Sequence, residues 1–281
     1  MKISVSLSVF EAPKAMPALF SGGTRENIAR IWELGYDGVD LFVRDPKSPD
    51  TIHTIALLKE YGLGIGAIMP AALAGEGLFL GSPDEAVRKE AIRRISEIVC
   101  LAGENGAMVS VGLVRGSKQV EEPMESFEAR FTDSCEQMLR ISEPQQVSLL
   151  IEPINRYEIN TINSVKEGMD YIKRTGLPLY LMNDLFHMNI EDVDIGQMLV
   201  ESLPYTKHIH FLDSNRLPPS MGHLDMAGYY RLLEQNGYQG YLCLEALANR
   251  EDPDRCAAIG AEFFKRMRAD RGGMSRITYA D

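Results

Sequence analysis

From end to end, the chain alternates short apolar runs with helical patterns. Strand-like runs at 3–9, 38–43, 64–69, 108–114, 147–152, 179–184, 207–210 and 241–245 are separated by stretches carrying helix start and stop signals. Strict alternation of this kind implies a parallel sheet joined by right-handed crossovers. Eight repeats in 281 residues leave about 35 residues for each, the size of one strand–helix unit with its loops. The expected fold is therefore α/β, a single (β/α)8 TIM barrel spanning 1–281, with an open doubly wound sheet as the alternative. No linker rich in Pro, Ser or Gly divides the chain. A faint internal echo supports the repeat: Gly35-Tyr36-Asp37-Gly38 and Gly237-Tyr238-Gln239-Gly240 each close a helix and open a strand.

Local punctuation sets the expected helices. Thr24 is the expected cap of a helix through Leu34, stopped by Gly35. Asp50 is expected to cap a helix from Thr51 to Tyr61. Ser82-Pro83-Asp84-Glu85 reads as a helix start with Ser82 as cap, running to about Asn105. A long helical pattern covers 124–143. Ser164 and Glu167 form a capping box for a helix ending at Gly176. Asp225 and Asp254 are read as the starts of the last two helices. The tail 271–281 lacks helical periodicity and is expected to be mobile or to dock on a partner subunit.

Four of the runs end on a metal-binding residue type: Glu152, Asp184, His210 and Glu245, recurring about every 30 residues. A barrel strand should be apolar, so an acid at its last residue is informative, because burying a bare carboxylate is costly. Taken singly, such an acid more often caps the next helix, and His210 taken singly could be a satisfied core histidine. Together, three oxygen donors and one nitrogen suit one divalent ion, Mn²⁺ first, with Mg²⁺, Co²⁺ or Zn²⁺ also possible. Such a site suits proton transfer next to a carbonyl, and hence an enzyme acting on a sugar.

Charge and composition exclude other classes. A formal net charge of −11 argues against a nucleic-acid partner, since phosphate binding needs a basic stripe. No apolar stretch approaches the roughly 20 residues of a membrane span, and the N-terminus does not read as a signal peptide. Cys100, Cys135, Cys243 and Cys256 have no CxxC spacing and are read as buried thiols in a reducing, cytoplasmic setting.

The words around the four residues are specific. Glu-Pro-Ile-Asn-Arg-Tyr-Glu at 152–158 with Asn163, Asn-Asp-Leu-Phe-His-Met-Asn at 183–189, His-Ile-His-Phe-Leu-Asp-Ser-Asn-Arg at 208–216 and Gly-His-Leu-Asp at 222–225 resemble the sugar isomerase and epimerase family with a xylose-isomerase-like barrel. Within it, the resemblance is to ketose 3-epimerases of the D-tagatose 3-epimerase type. It covers most of the chain and is dense from about 147 to 247. The resemblance implies a metal at the carboxyl-terminal mouth, held by Glu152, Asp184, His210 and Glu245. It implies substrate contacts at Glu158, His187 and Arg216. It also implies inversion of C3 of a free ketose through a metal-stabilised enediolate, with Glu152 and Glu245 as the two bases on opposite faces. A homo-oligomer, dimer or tetramer, is the expected assembly.

Other readings stay open at this level. The same site would serve an aldose–ketose isomerase of the hydroxypyruvate or inosose type. A phosphorylated-sugar epimerase would call on Arg216 and Arg250 in the last two loops. A zinc-dependent DNA-cleaving barrel would need more than the five histidines present. The non-enzyme alternative is a sugar sensor on a retired barrel. Phe10, Met69, Phe186 and Met188 are candidates for an apolar floor under the sugar. His208 is read as facing away from His210, packed against a helix. Trp32 is read as core, His53 as a helix residue and His223 as a loop residue near the site edge.

Overall fold

The computed structural model describes residues 1–247 and 252–270. Arg250 and the tail 271–281, singled out above, lie outside the described residues. Eight parallel strands close on themselves: β1 Lys2–Ser8, β2 Gly38–Phe42, β3 Gly64–Met69, β4 Met108–Ser110, β5 Leu149–Ile151, β6 Tyr180–Asp184, β7 Thr206–His210 and β8 Tyr241–Leu244. Each pairs with the next, and β8 returns to β1 through Lys2–Tyr241 to Val5–Leu244. A two-residue strand, Phe20–Ser21, pairs with β1 at Leu7 and Ser8, beyond the last contact with β8. Closure rules out the open sheet.

Side chains alternate across each strand, so residues two apart share a face. In β1, Ile3, Val5 and Leu7 face the helices and join the large core between barrel and helical shell. Ser4, Ser6 and Ser8, also fully buried, take the other face, toward the barrel axis. A separate small apolar cluster of Phe42, Ala67, Met69, Leu150 and Met182 fills part of the interior. The interior is thus apolar on one side and polar on the other, and most of the hydrophobic stabilisation comes from the outer layer. There, each fully buried Leu, Ile, Val or Phe contributes roughly 1.5–3 kcal/mol.

The helices follow the local signals with instructive shifts. Thr24 caps Arg25–Glu33, accepting from the Asn27 N–H at 3.2 Å. The Ser164–Glu167 capping box is formed, and Gly176 closes that helix in the left-handed conformation. Asp225 caps Met226–Gln235. Three expected caps move. Ser48 caps Pro49–Glu60 in place of Asp50, Asp84 caps Glu85–Asn105 in place of Ser82, and Asp252 caps Pro253–Ala269 in place of Asp254. In two of these a proline takes the first helical position, so the residue before it must be the cap. Asp254 instead pairs with Arg30 at 2.6 Å. Strand β4 ends at Ser110, not 114, because the chain turns at Gly112 into a short 3₁₀ turn, Leu113–Arg115.

Candidate active site

Each site residue stands two positions beyond an interior side chain of its own strand: Glu152 after Leu150, Asp184 after Met182, His210 after His208, Glu245 after Cys243. All four therefore face the axis at the carboxyl rim. They are buried, at 5%, 1%, 0% and 3% exposure respectively. One donor atom from each lies within 4.8 Å of the others. His210 Nδ1 is the hub, 3.4 Å from Glu152 Oε1, 3.7 Å from Asp184 Oδ2 and 3.4 Å from Glu245 Oε2.

The donor set fits a divalent cation. Asp184 divides its oxygens between two tasks. Its Oδ1 accepts from the Phe186 N–H at 2.7 Å, capping the helix Leu185–Glu191, while Oδ2 points into the cluster with no hydrogen-bond partner. His210 Nδ1 is likewise buried without a partner. Orphaned buried polar atoms are costly in native folds, and a cation would satisfy both. Electrostatics point the same way. Burial by itself would lower the His210 pKa, but Glu245, Asp184, Asp40 and Glu152 together hold it well above the ordinary histidine value. Burial would raise the Asp184 carboxyl, yet His187, His210 and Arg216 keep it below the usual range. Oxygen-rich donors with one imidazole match Mn²⁺, Mg²⁺ or Co²⁺ chemistry.

A cavity of about 250 Å³ opens above these residues. Glu152, Glu158, His187, Arg216 and Glu245 line one side; Met16, Phe42, Met69, Leu113 and Val114 are among those lining the other. Of the expected apolar floor, Met69 lines this cavity. Phe186 lies under Arg216, whose guanidinium is 5.2 Å from its ring centroid. Arg216 reaches Glu158 Oε1 at 3.1 Å and Glu245 Oε2 at 3.3 Å. Its backbone is left-handed, at φ 60°, a conformation that costs a non-glycine residue about 1–3 kcal/mol. The loop that imposes it is organised by Asp213, whose buried carboxylate accepts from the N–H groups of Ser214, Ser220 and Leu224. A side chain at Gly222 would collide with that carboxylate, its Cβ only 2.2 Å from Oδ1.

Asn155 determines how His187 presents itself. The Asn155 Oδ1 accepts from the Tyr157 N–H at 3.0 Å, so its amide nitrogen donates to Glu158 Oε1 at 2.9 Å and to His187 Nδ1 at 2.8 Å. The proton of a neutral His187 must then sit on Nε2, which faces Asp184 Oδ2 at 3.7 Å and Glu152 Oε1 at 3.9 Å. Asn155 lies in the 152–158 motif, but nothing in its local pattern singles out this role. Arg115 is also invisible to pattern reading. Fully buried, it donates to the carbonyls of Glu152, Thr161 and Ile162 and to Thr161 Oγ1. It clamps the base of the loop carrying Glu152, Asn155 and Glu158. Burial pushes its pKa down to about 10, so it remains charged at neutral pH.

Four sequence expectations are corrected here. His208 faces the barrel axis with His210, since residues two apart share a face; its Nε2 meets Asp40 Oδ2 at 2.6 Å. Trp32 is 56% exposed, against Tyr61 in an edge contact, so its amphipathic helix turns it outward. Cys100 is exposed, while Cys135, Cys243 and Cys256 are buried. His223 bonds Ser214 and is absent from the cavity lining.

Comparison with known proteins agrees with this architecture. The profile of the xylose isomerase-like TIM barrel family matches residues 28–267, and the chain belongs to that family. An L-ribulose 3-epimerase from Mesorhizobium japonicum is 26% identical over 88% of this chain and 82% of its own length. A 3-dehydro-D-guloside 4-epimerase from Escherichia coli is 27% identical over 84% of this chain and 92% of its own. Both relatives are isomerases acting on carbohydrates. The crystal structure of a 3-keto-D-glucoside 4-epimerase from E. coli superposes with a TM-score of 0.78 at 22% identity, covering 95% of this chain and all of that one. Among the described residues, no helix is long and apolar enough to cross a membrane.

Proposed function

We propose that the chain is a metal-dependent epimerase that inverts C3 of a free ketose by proton transfer beside the carbonyl. One observation carries this reading. Of the four clustered residues, Glu152 and Glu245 line the cavity, whereas Asp184 and His210 do not. Inverting a carbon needs two proton-transfer groups with access to the substrate, and the two glutamates meet that need.

In this scheme one glutamate takes the C3 proton, and the C–H electron pair delocalises toward the carbonyl oxygen. The other glutamate returns a proton to the opposite face, and reaction direction decides which acts first. Arg216 and the His187 Nε2–H stabilise the developing negative charge. Glu158, tied to both Asn155 and Arg216, orients a substrate hydroxyl. A divalent ion, manganese first, held by Glu152, Asp184, His210 and Glu245, would supply Lewis-acid stabilisation of that charge.

A phosphorylated substrate fits less well. Among the described lining residues Arg216 is the one cation, and it already engages two carboxylates. A C4 epimerase acting on a 3-keto sugar is a second reading, favoured by the 4-epimerase relative; the chemistry is the same, one carbon along. The test is incubation with D-fructose, D-psicose and D-tagatose in deuterated water with Mn²⁺, followed by NMR. Deuterium at C3 with a new epimer is the expected result. Label only at C1 would indicate an isomerase, and no label from any ketose would sink the proposal. Metal analysis before and after chelator dialysis should give about one ion per chain, lost together with turnover.

A further inference from the structure

Directly beneath His210 the barrel interior is polar. Asp40, on β2, is fully buried, and its Oδ2 takes His208 Nε2 at 2.6 Å and faces His210 Nε2 at 3.3 Å. Its Oδ1 accepts from Ser4 Oγ at 3.1 Å. The ring of His208 packs edge-on to that of His210, centroids 5.5 Å apart and planes at 88°. Gly66 leaves the space these groups occupy: a Cβ there would stand 2.7 Å from Asp40 Oδ1 and 3.0 Å from His208 Cε1. Barrel interiors are ordinarily filled by layers of Val, Ile and Leu, and a buried carboxylate is expensive to keep. The proton-transfer scheme uses neither Asp40 nor His208.

We infer that Asp40 is a positioning residue for the metal centre, holding the His210 ring with Nε2 turned down toward its carboxylate and Nδ1 turned up toward Glu152, Asp184 and Glu245. His208 and Ser4 hold Asp40 in turn. The 3.3 Å contact is not an aligned hydrogen bond, and His208 holds the same oxygen at 2.6 Å. Asp40 nonetheless sets which edge of the imidazole faces the acids. A carboxylate behind a ligating histidine fixes its proton and orientation and makes the ring a better donor. Donor atoms of Asp40, His208, His210 and Cys243 also lie within 4.8 Å of one another. His208 and Asp40 satisfy one another by a hydrogen bond at 2.6 Å, so this lower cluster is read as a support and not as a second cation site.

The inference rests on the metal reading of the upper cluster, and the test separates the two. Mn²⁺ binding is measured by calorimetry on wild type, Asp40→Asn, His208→Leu, His208→Gln and Ser4→Ala, with the visible spectrum of each Co²⁺-loaded protein. If wild type takes up no metal, the metal reading fails. If wild type binds one ion, Asp40→Asn is expected to weaken binding about 10- to 100-fold and to shift the Co²⁺ spectrum. His208→Leu should follow it, His208→Gln, which keeps an N–H donor, should recover part of the loss, and Ser4→Ala should show a smaller weakening. A purely structural role would lower thermal stability and leave affinity and spectrum of the folded protein unchanged, and that outcome overturns the inference. Two ions per wild-type chain would also overturn it. Should Asp40→Asn not fold, His208→Leu and Ser4→Ala decide: wild-type affinity and spectrum in both would be equally fatal.

Discussion

The two halves of the barrel mouth are made of different material. Glu152, Asp184, His210 and Glu245 stand at or one residue past the ends of β5 to β8, and the loops that follow add Glu158, His187 and Arg216. Strands β2 and β3 end in Phe42 and Met69, and Leu113 and Val114 follow β4; these line the cavity opposite the charges. One half concentrates charge and hydrogen-bond donors; the other supplies shape and excludes water. The contrast teaches where the chemistry can reside: an apolar wall cannot move a proton, but it lowers the local dielectric and strengthens the electrostatics facing it. The division is not complete, since Asp40 on β2 and Gly112 after β4 belong to the half that supplies shape and support the half that carries the charges.

Substitutions in the two halves should behave differently, and the largest effects should come from the charged side. Glu152→Gln and Glu245→Gln should each cut kcat on the order of 10³-fold or more, measured with saturating Mn²⁺; wild-type turnover in either would end the two-base scheme. Arg216→Ala should lower kcat roughly 10²-fold while metal content, read by elemental analysis, stays near one ion per chain. A variant that loses its metal instead would move Arg216 from charge stabilisation to metal support. Gly112→Ala probes the crossover between halves. Its new Cβ would stand 2.5 Å from Glu152 Oε2, and displacing that oxygen should cost about 10²-fold in kcat/KM.

On the apolar side, Leu113→Ala should raise KM by no more than about tenfold and leave kcat nearly intact. A collapse in kcat there would erase the distinction between the halves. The smallest effect concerns stability. Asp192, beside the site loops, is pushed up to about 6, first by burial and then by Glu191 and Glu167. A raised carboxyl favours the protonated fold, so its contribution is full below about pH 4 and is lost as pH rises through about 6. Asp192→Asn should therefore gain about 1 kcal/mol over wild type at pH 7.5, after allowing for solvent screening, and almost nothing at pH 4. Denaturant titrations at the two pH values would reveal the opposite trend if the assignment is wrong.

Much of the fold was legible because its signals are local. A strand of period two and a helix begun by Ser, Thr or Asp and closed by Gly are written in neighbouring residues, so the eight strands and seven of the helices could be read to within a few residues, while Ala71–Gly75, Leu185–Glu191 and Ile195–Ser202 emerge only in the structure. The caps at Ser48 and Asp252 are equally local, because the proline after each marks the first helical position more firmly than the nearby acids do. The direction of His208 was equally a local matter, and period two puts it beside His210. The Arg115 clamp was not legible. Its guanidinium reaches carbonyls 37 to 47 residues away, and no local pattern distinguishes it from a surface arginine.

The amino-acid sequence alone determined the alternation of strand and helix, and with it the rim on which Glu152, Asp184, His210 and Glu245 end their strands. Both follow from periodicities that a short peptide already carries. Only closure of the barrel decided what those residues meet. Asp40 comes to His208 across 168 residues, Asn155 to His187 across 32, and Arg216 to Glu158 across 58. Such partners depend on strand register and on which side chains share the crowded axis, and those are properties of the closed sheet and not of any one strand.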